Sequence, residues 1–303
     1  MTRRFFIELD KAGAEWVVVA YLSGDANMIS VVESGKSPHI VTGSLMTGLP
    51  EEVVEKESKL VKMLNDPILI DGIRREHCPE VFDAEWIPRS MSIRQCGKKA
   101  NHGLNYVEGW FRFAEINELE ASESKKIVHT YSHVAYPSLP TWWDSIGEEA
   151  FRNGRFLYNL LGHKRRFLGR RDDQLIKSMI AYKPQSTIGH MVRIGMRETY
   201  RRMERRDKLF RDLDMLANVH DNLLFTYPYG KWFSAAKVVQ EIDRLMSPIL
   251  TARTRTFRIR TDIKVGVHDW GHMTEVKFSP NVNELASRIR DAVKAGEDAK
   301  KAA

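Results

Sequence analysis

Cysteine is scarce in this chain, with two among 303 residues, Cys78 and Cys96. Two thiols cannot build a disulfide framework or close a four-ligand zinc site by themselves, so a reducing, cytoplasmic setting is the expectation. Long apolar runs are missing too. No window approaches the roughly 20 apolar residues that a membrane helix needs, and no spanning helix is expected. The N-terminal residues MTRRF do not open onto the apolar stretch and small-residue end of a secretory signal. A glycine-rich phosphate loop of the Walker type is absent, which argues against P-loop chemistry. There is no internal repeat and no low-complexity linker. The charge balance leans positive, 47 Lys+Arg against 40 Asp+Glu for a net of +7, which by itself points only weakly to a polyanionic partner.

Enough apolar residues remain, 43% of the chain, for one large domain or two ordinary ones. Residues Phe5 to Asp10 (FFIELD) predict a mostly buried strand with a carboxylate at its C-terminal tip. Ala12 to Tyr21 is apolar, with Glu15 its one acid, and reads as a turn into a helix closed by Ser23, Gly24 and Asp25. Pro50, Glu51 and Glu52 start another helix, since proline fits the first turn and acids suit the positive helix end. Pro67, Pro79 and Pro88 break any long helix between 55 and 90, so that stretch reads as an excursion from the core. From Ser90 to about Asn101 a helix is predicted, with Arg94, Lys98 and His102 at steps of four and Tyr106 one step further on a slowly winding face.

A second predicted helix, about Thr187 to Phe210, spaces Arg193, Arg197, Arg201 and Arg205 in the same way against Met191, Ile194 and Met203. Those arginines suit a phosphate track and a solvated face equally. Met215 to Tyr227 places two apolar runs around a short polar centre, predicting a hairpin with Asp221 at its tip. Phe257 to Val265 alternates, with Phe257, Ile259, Thr261, Ile263 and Val265 opposite Arg258, Arg260, Asp262 and Lys264, as in a half-exposed antiparallel strand. The small, charged end from Lys294 to Ala303 is expected to fray.

Asp10 and Asp221 each sit at the tip of an apolar strand segment, and only the fold could bring them together. An isolated aspartate at such a tip is more often a turn or cap residue. If adjacent, the two would bind a hard divalent cation such as Mg2+, which takes one or two carboxylates and completes its shell with water and substrate phosphates. Two such ions can activate a hydroxyl and stabilise the leaving oxygen of a phosphoryl displacement. Arg94 and Lys98 supply positive charge for a triphosphate, and His102 and Tyr106 offer rings for a base or sugar. Taken singly each fits an ordinary solvated helix; together with the metal pair they outline a nucleotidyl-transfer site.

Ordered motifs add a resemblance. They are Asp10 to Glu15 (DKAGAE), Ala20 to Asp25 (AYLSGD), Gly35 to His39 (GKSPH), Gly48 to Pro50 (GLP), the series Arg94, Lys98, Asn101, His102, Gly103 and Tyr106, then Leu161 to Arg166 (LGHKRR), Pro184 to Thr187 (PQST), Val219 to Asp221 (VHD) and Val267 to Trp270 (VHDW). In this order, over nearly the whole chain, the sequence resembles the polymerase region of family A DNA polymerases, the DNA polymerase I type. The first motif is similar to that family's motif A, the Arg94 series to motif B on the fingers helix, VHD to motif C and VHDW to the closing strand.

The resemblance implies an α+β right-hand polymerase: an antiparallel palm sheet with flanking helices, plus helical fingers. Palm would occupy 1–40 and 173–280, fingers 41–172 with an insertion at about 55–90 that could serve docking, and a C-terminal helix or tail 281–303. The implied activity is template-directed transfer of dNMP to a primer 3′-hydroxyl with two Mg2+ ions, Mn2+ being an alternative. Asp10 and Asp221 would hold the ions with the Lys11 carbonyl; Arg94, Lys98 and His39 would bind the triphosphate, Lys98 also assisting protonation of pyrophosphate. Glu15 would crowd a ribose 2′-hydroxyl, Tyr106 would stack under the templating position, Gln185 and His220 would contact primer-template, and Arg165 and Arg166 would reach template phosphates.

Departures from the pattern are His102 in place of an aromatic residue, Val107 in place of glycine and Asn222 in place of an acid. The chain begins nine residues before Asp10, so thumb and 3′–5′ exonuclease are expected from a separate polypeptide, as in a split bacteriophage polymerase acting in the host cytoplasm. A single-subunit-type RNA polymerase is the first alternative, disfavoured by Glu15, because that class keeps a small residue at the gate. A non-catalytic nucleic-acid-binding subunit is the second, disfavoured by the presence of Asp10, Asp221, Lys98 and Arg94 together.

Overall fold

Apolar Phe5, Ile7 and Leu9 alternate with Phe6, Glu8 and Asp10, and that period of two builds the strand on which one half of the molecule is organised. The computed structural model describes residues 3–302 except 12 and 63. Ala12, in the expected turn, and Ala303, at the expected frayed end, lie outside the described residues. In chain order the elements begin with β1 (Arg4–Asp10), α1 (Ala14–Ser23), α2 (Ala26–Ser34), α3 (Pro38–Thr47), α4 (Glu51–Leu60), α5 (Pro67–His77) and α6 (Ile93–Gly103). They continue with α7 (Trp110–Asn117), α8 (Ala121–Thr130), α9 (Leu139–Arg152), β2 (Phe156–Tyr158), β3 (Lys164–Arg166) and α10 (Asp173–Glu204). The last are β4 (Asp214–Val219), β5 (Asn222–Pro228), α11 (Trp232–Met246), β6 (Leu250–Ala252), β7 (Arg255–Phe257), β8 (Asp262–Gly266), β9 (Thr274–Val276) and α12 (Val282–Ala302). Among the described residues no helix is long and apolar enough to cross a membrane.

The chain forms two units. The first comprises Met1–Ala14, Asn159–His163 and Gln185–Ala303. Its centre is a five-stranded antiparallel sheet in the order β4-β5-β1-β8-β9. One face carries Phe5, Ile7, Leu9, Leu223, Phe225, Ile263 and Val265, packed with Val239 and Ile242 of α11, Leu285 and Ile289 of α12 and Val192 of α10. Residues directly opposite across a ladder share a face, so the registers Asp10–Asn222, Asp10–Asp262 and Glu8–Lys264 place these polar groups together on the other face.

Several expectations need correction here. The helix expected from Thr187 to Phe210 starts at Asp173, where Asp172 accepts the Leu175 N–H at 2.9 Å, runs through Pro184 and stops at Glu204. Arg206 then turns into the left-handed region, φ 52°, so Phe210 lies outside the helix and Arg205 at its closing turn. Phe257 to Val265 is not one strand. Asp243 takes the Thr261 N–H at 2.8 Å and its hydroxyl at 2.9 Å, pulling the intervening residues off the ladder between β7 and β8. The apolar face is nevertheless buried as expected, from Phe257 to Val265. Val267 to Trp270 is a bend rather than a strand, and the closing edge is β9. Where fraying was expected, α12 continues to Ala302.

The second unit comprises Glu15–Tyr158 and Lys164–Pro184. It is helical except for the β2–β3 hairpin. Within this unit α3 packs directly against α6. A Cβ built on Gly97 would stand 2.4 Å from the His39 carbonyl oxygen and 3.0 Å from the Gly43 nitrogen, so the two backbones touch. The stretch 55–90 is not an excursion. Leu49, Val54, Cys78 and Val81 enclose Ile93 of α6 in a small core of their own. Pro67 and Pro79 sit at the starts of α5 and of a 3-10 turn, Pro79–Asp83, where a missing N–H costs nothing.

Candidate active-site residues

In the first unit, β1 delivers Asp10 to the end of its ladder, and the β4–β5 hairpin turns at His220 and Asp221. His220 takes φ 55° to make that tight turn, and the Lys11 N–H donates to the Asp221 carbonyl at 3.2 Å. Burial raises the Asp10 pKa, and the neighbouring Asp221 charge raises it further; Lys264 opposes both. The Asp221 charge thus bears on Asp10, and Lys264 offsets burial and repulsion only in part.

Beside them lies a group that sequence reasoning did not single out. Glu8, 4% exposed, accepts from Lys264 Nζ at 2.8 Å and from the Trp270 indole N–H. Lys264 Nζ also lies 3.9 Å from Asp10, and its hydrogen bond to Glu8 raises its own pKa. The pairing was latent in the register, since Glu8 faces Lys264 across β1 and β8.

The donor set is all oxygen. Among the described residues no group of three or more His, Cys, Asp or Glu is arranged to hold a metal. The available ligands are the Asp10 and Asp221 carboxylates, and the buried Asn222 Oδ1, opposite Asp10 in the ladder, has no hydrogen-bond partner. Two carboxylates at one end of the sheet and an unpaired amide oxygen suit a hard divalent cation that keeps part of its water shell. The Lys11 carbonyl accepts the Ala14 N–H at 3.0 Å, which uses one of its two lone pairs. The Lys11 side chain is committed elsewhere: buried, it donates to Ser247 Oγ at 2.7 Å and the Ile259 carbonyl at 2.5 Å. Burial brings its pKa down to about 7 against the pull of Asp243 and Asp262.

In the second unit the backbone contact of α3 with α6 sets His39 beside Arg94, Lys98 and His102. His39 and His102 ring centroids are 6.1 Å apart. Burial and then Arg94 depress the His39 pKa to about 4, so its ring is neutral at physiological pH. Its Nδ1 lies 3.1 Å from the Asn101 amide nitrogen. Asn101 is a hub that sequence reasoning quoted without a role. Its Oδ1 accepts from Trp16 at 3.0 Å, Thr42 at 3.0 Å and Tyr131 at 3.1 Å. Tyr106 does not continue the α6 face, as the four-residue step had suggested. It lies in a 3-10 turn, Leu104–Tyr106, ended by Val107 at φ 60°. Its hydroxyl donates to Glu15 Oε2 at 2.5 Å, and burial followed by the Glu15 charge raises its pKa.

Gln185 is an exposed residue of α10 in the first unit. The chain beside it is fixed by Asn159, whose amide donates to the Ser186 carbonyl and hydroxyl, each at 3.0 Å. Arg165 and Arg166 are exposed on β3 in the second unit. The Arg165 guanidinium lies 4.8 Å from the Phe167 ring centroid and that of Arg166 5.5 Å from the Phe156 ring centroid.

The model for DNA polymerase family A matches residues 73–272, more than half of the chain, and the chain belongs to that family. It is similar to "DNA polymerase I, thermostable" of Thermus aquaticus, 23% identical over 272 residues, covering 87% of this chain and 27% of the relative. A protein of the same description from Thermus thermophilus is 23% identical over 271 residues, covering 87% and 26%. The chain thus spans about a quarter of the length of the curated relatives it matches. Among solved structures, the POL domain of Pol1 from M. smegmatis, in complex with DNA primer-template and dNTP, superposes with a TM-score of 0.63 at 17% identity, covering 87% of this chain and 39% of that one. That likeness establishes a shared fold.

Proposed function

We propose that the chain is the catalytic part of a template-directed DNA polymerase that adds dNMP to a primer 3′-hydroxyl, the sheet-bearing unit acting as palm and the helical unit as fingers. The observation that carries this reading is the pair of acids at the β1–β5 end, with Asp10 raised in pKa by burial and by Asp221, in a chain of family A. Asp10 and Asp221 would hold the divalent cations, with the Lys11 carbonyl as a further donor. Bound Mg2+ would supply charge neutralisation and ease deprotonation of the attacking hydroxyl.

The chain's own groups do the rest. Arg94 and Lys98 bind triphosphate oxygens, and Lys98 is the proton donor to the departing pyrophosphate. His39, neutral, contributes a hydrogen bond rather than a charge. Glu15, held by the Tyr106 hydroxyl, excludes a 2′-hydroxyl, and Tyr106 supports the templating position. Gln185 and His220 contact primer-template, and Arg165 and Arg166 meet template phosphates. Single-nucleotide incorporation with matched dNTP and rNTP tests the reading: dNTP preference is expected, with Glu15→Ser relaxing it, and a wild-type preference for rNTP would overturn it. Repeating the assay with co-purifying polypeptides measures whether duplex grip or proofreading comes from another chain.

A further inference from the structure

Among the described residues of the second unit, a fully buried ion pair that the proposed chemistry does not use lies in the stretch 55–90. Glu57 of α4 is 0% exposed and Arg74 of α5 is 2% exposed. The Arg74 guanidinium holds Glu57 Oε1 through Nε at 3.0 Å and Nη2 at 2.5 Å. Its remaining donors reach the Pro88 carbonyl at 2.7 Å and the Met91 carbonyl at 3.0 Å. Glu57 Oε2 in turn accepts the Ile93 N–H at 3.1 Å. Ile93 is the first residue of α6, capped by Ser92, whose hydroxyl accepts the Gln95 N–H at 3.1 Å. The polar contacts of the pair therefore converge on the entrance to α6, one residue before Arg94.

A buried pair of this kind pays a desolvation cost that Coulomb attraction alone often fails to return, and a use in fixing register is its best-attested benefit. Burial pushes the Glu57 carboxyl upward in pKa, and Arg74 and the Ile93 N–H act against that. A carboxylate at a helix N-terminus also complements the helix dipole. Around the pair, Leu49, Val54, Cys78 and Val81 close on Ile93, so the polar and apolar contacts grip the same turn of α6.

We propose that Glu57 and Arg74 are positioning residues for nucleotide binding, clamping the first turn of α6 so that Arg94 and Lys98 are presented in fixed register. The stretch 55–90 thereby belongs to the nucleotide-binding apparatus and is not an appended docking surface. The kinetic half of this proposal rests on the polymerase reading, and the structural half does not. The clamp needs a fork on one side and a charged acceptor on the other, so neither Glu57→Gln nor Arg74→Lys should preserve it. Lysine offers a point charge where the fork makes four bonds, and glutamine leaves the guanidinium uncompensated.

The test measures single-nucleotide incorporation, DNA affinity and hydrogen exchange of the amides of the first turn of α6 in wild type, Glu57→Gln, Glu57→Asp and Arg74→Lys. A core control, Val239→Ala in the first unit, reports the effect of lost stability alone. Expected are a tenfold or greater rise in KM for dNTP in Glu57→Gln and Arg74→Lys, a smaller rise in Glu57→Asp, DNA affinity within about twofold, and faster exchange at α6. The control should lower the melting temperature without moving KM. A KM that stays at the wild-type value in folded Glu57→Gln and Arg74→Lys, or α6 exchange no faster than in the control, overturns the proposal. If wild type incorporates no nucleotide, the polymerase reading falls, and the exchange of α6 still decides the clamp. Should Glu57→Gln fail to fold, Glu57→Asp and Arg74→Lys decide it by the same two readouts.

Discussion

Replacing Gly97 by alanine sets two known effects against each other. In an exposed helix interior the change stabilises by about 1 kcal/mol, since glycine is the poorer helix former. At Gly97 the added methyl would sit 2.4 Å from the His39 carbonyl oxygen and 3.0 Å from the Gly43 nitrogen. Both are backbone atoms that cannot swing aside, and reaching an ordinary contact of about 3.5 Å requires α3 and α6 to separate by about 1 Å. Overpacking of this kind costs about 1–3 kcal/mol, so the net effect is a loss of up to about 2 kcal/mol. For a unit of this size the upper end of that range is a fall of roughly 4–8 °C in melting temperature. The same displacement moves His39 away from Arg94 and Lys98, and a misplacement near 1 Å can cost on the order of a hundredfold in rate. Gly72, in the interior of α5, provides the contrast. A Cβ there meets nothing within 4 Å, and Gly72→Ala should stabilise by about 0.5–1 kcal/mol. Calorimetry on both variants with single-nucleotide kinetics is the assay. Gly97→Ala with wild-type or higher stability and an unchanged rate would refute the backbone contact as the feature that assembles these residues.

Val107 holds a β-branched residue at φ 60°, where L-residues are strained by about 1–2 kcal/mol; Val107→Gly should raise stability by about 1 kcal/mol in urea titrations, and no gain would mean that the turn is not strained. His39 titrates at about 4 when folded against its usual 6.5, so the unfolded chain binds the extra proton first and stability falls as pH drops from about 6.5 to 4. His39→Gln should lose less stability over that window, and equal losses would contradict the shift. Because Asp10 and Asp221 repel each other, Asp221→Asn should raise the melting temperature of the metal-free protein slightly while weakening its response to added Mg2+, a combination read by thermal shift with and without the ion.

The strand at Phe5 to Asp10, the hairpin around Asp221 and the α6 face bearing Arg94, Lys98 and His102 were legible, because each is a local periodicity written in consecutive residues. What escaped detection depends on partners far apart in the chain. Glu8 gains meaning only opposite Lys264, and Asp243 breaks the strand at Thr261 from a helix away. Glu57 and Arg74 fall in the proline-broken stretch read as an excursion, and only the fold buries them together. The continuation of α10 through Pro184 was hidden by a residue that normally ends helices, and Tyr106 left the α6 face because a 3-10 turn replaces the last step. Asn101 was visible in a motif, yet its role as acceptor for Trp16, Thr42 and Tyr131 needs three other elements in place.

The measurement closest to the centre is Mg2+-dependent addition of one dNMP to a primer-template by wild type, Asp10→Ala and Asp221→Ala, with DNA affinity recorded alongside. Wild type should extend the primer, and both variants should lose extension while DNA affinity stays within a few-fold, since phosphate contacts by basic residues supply most of that affinity. Extension at the wild-type rate by either variant would contradict the assignment of these two acids as the paired cation ligands.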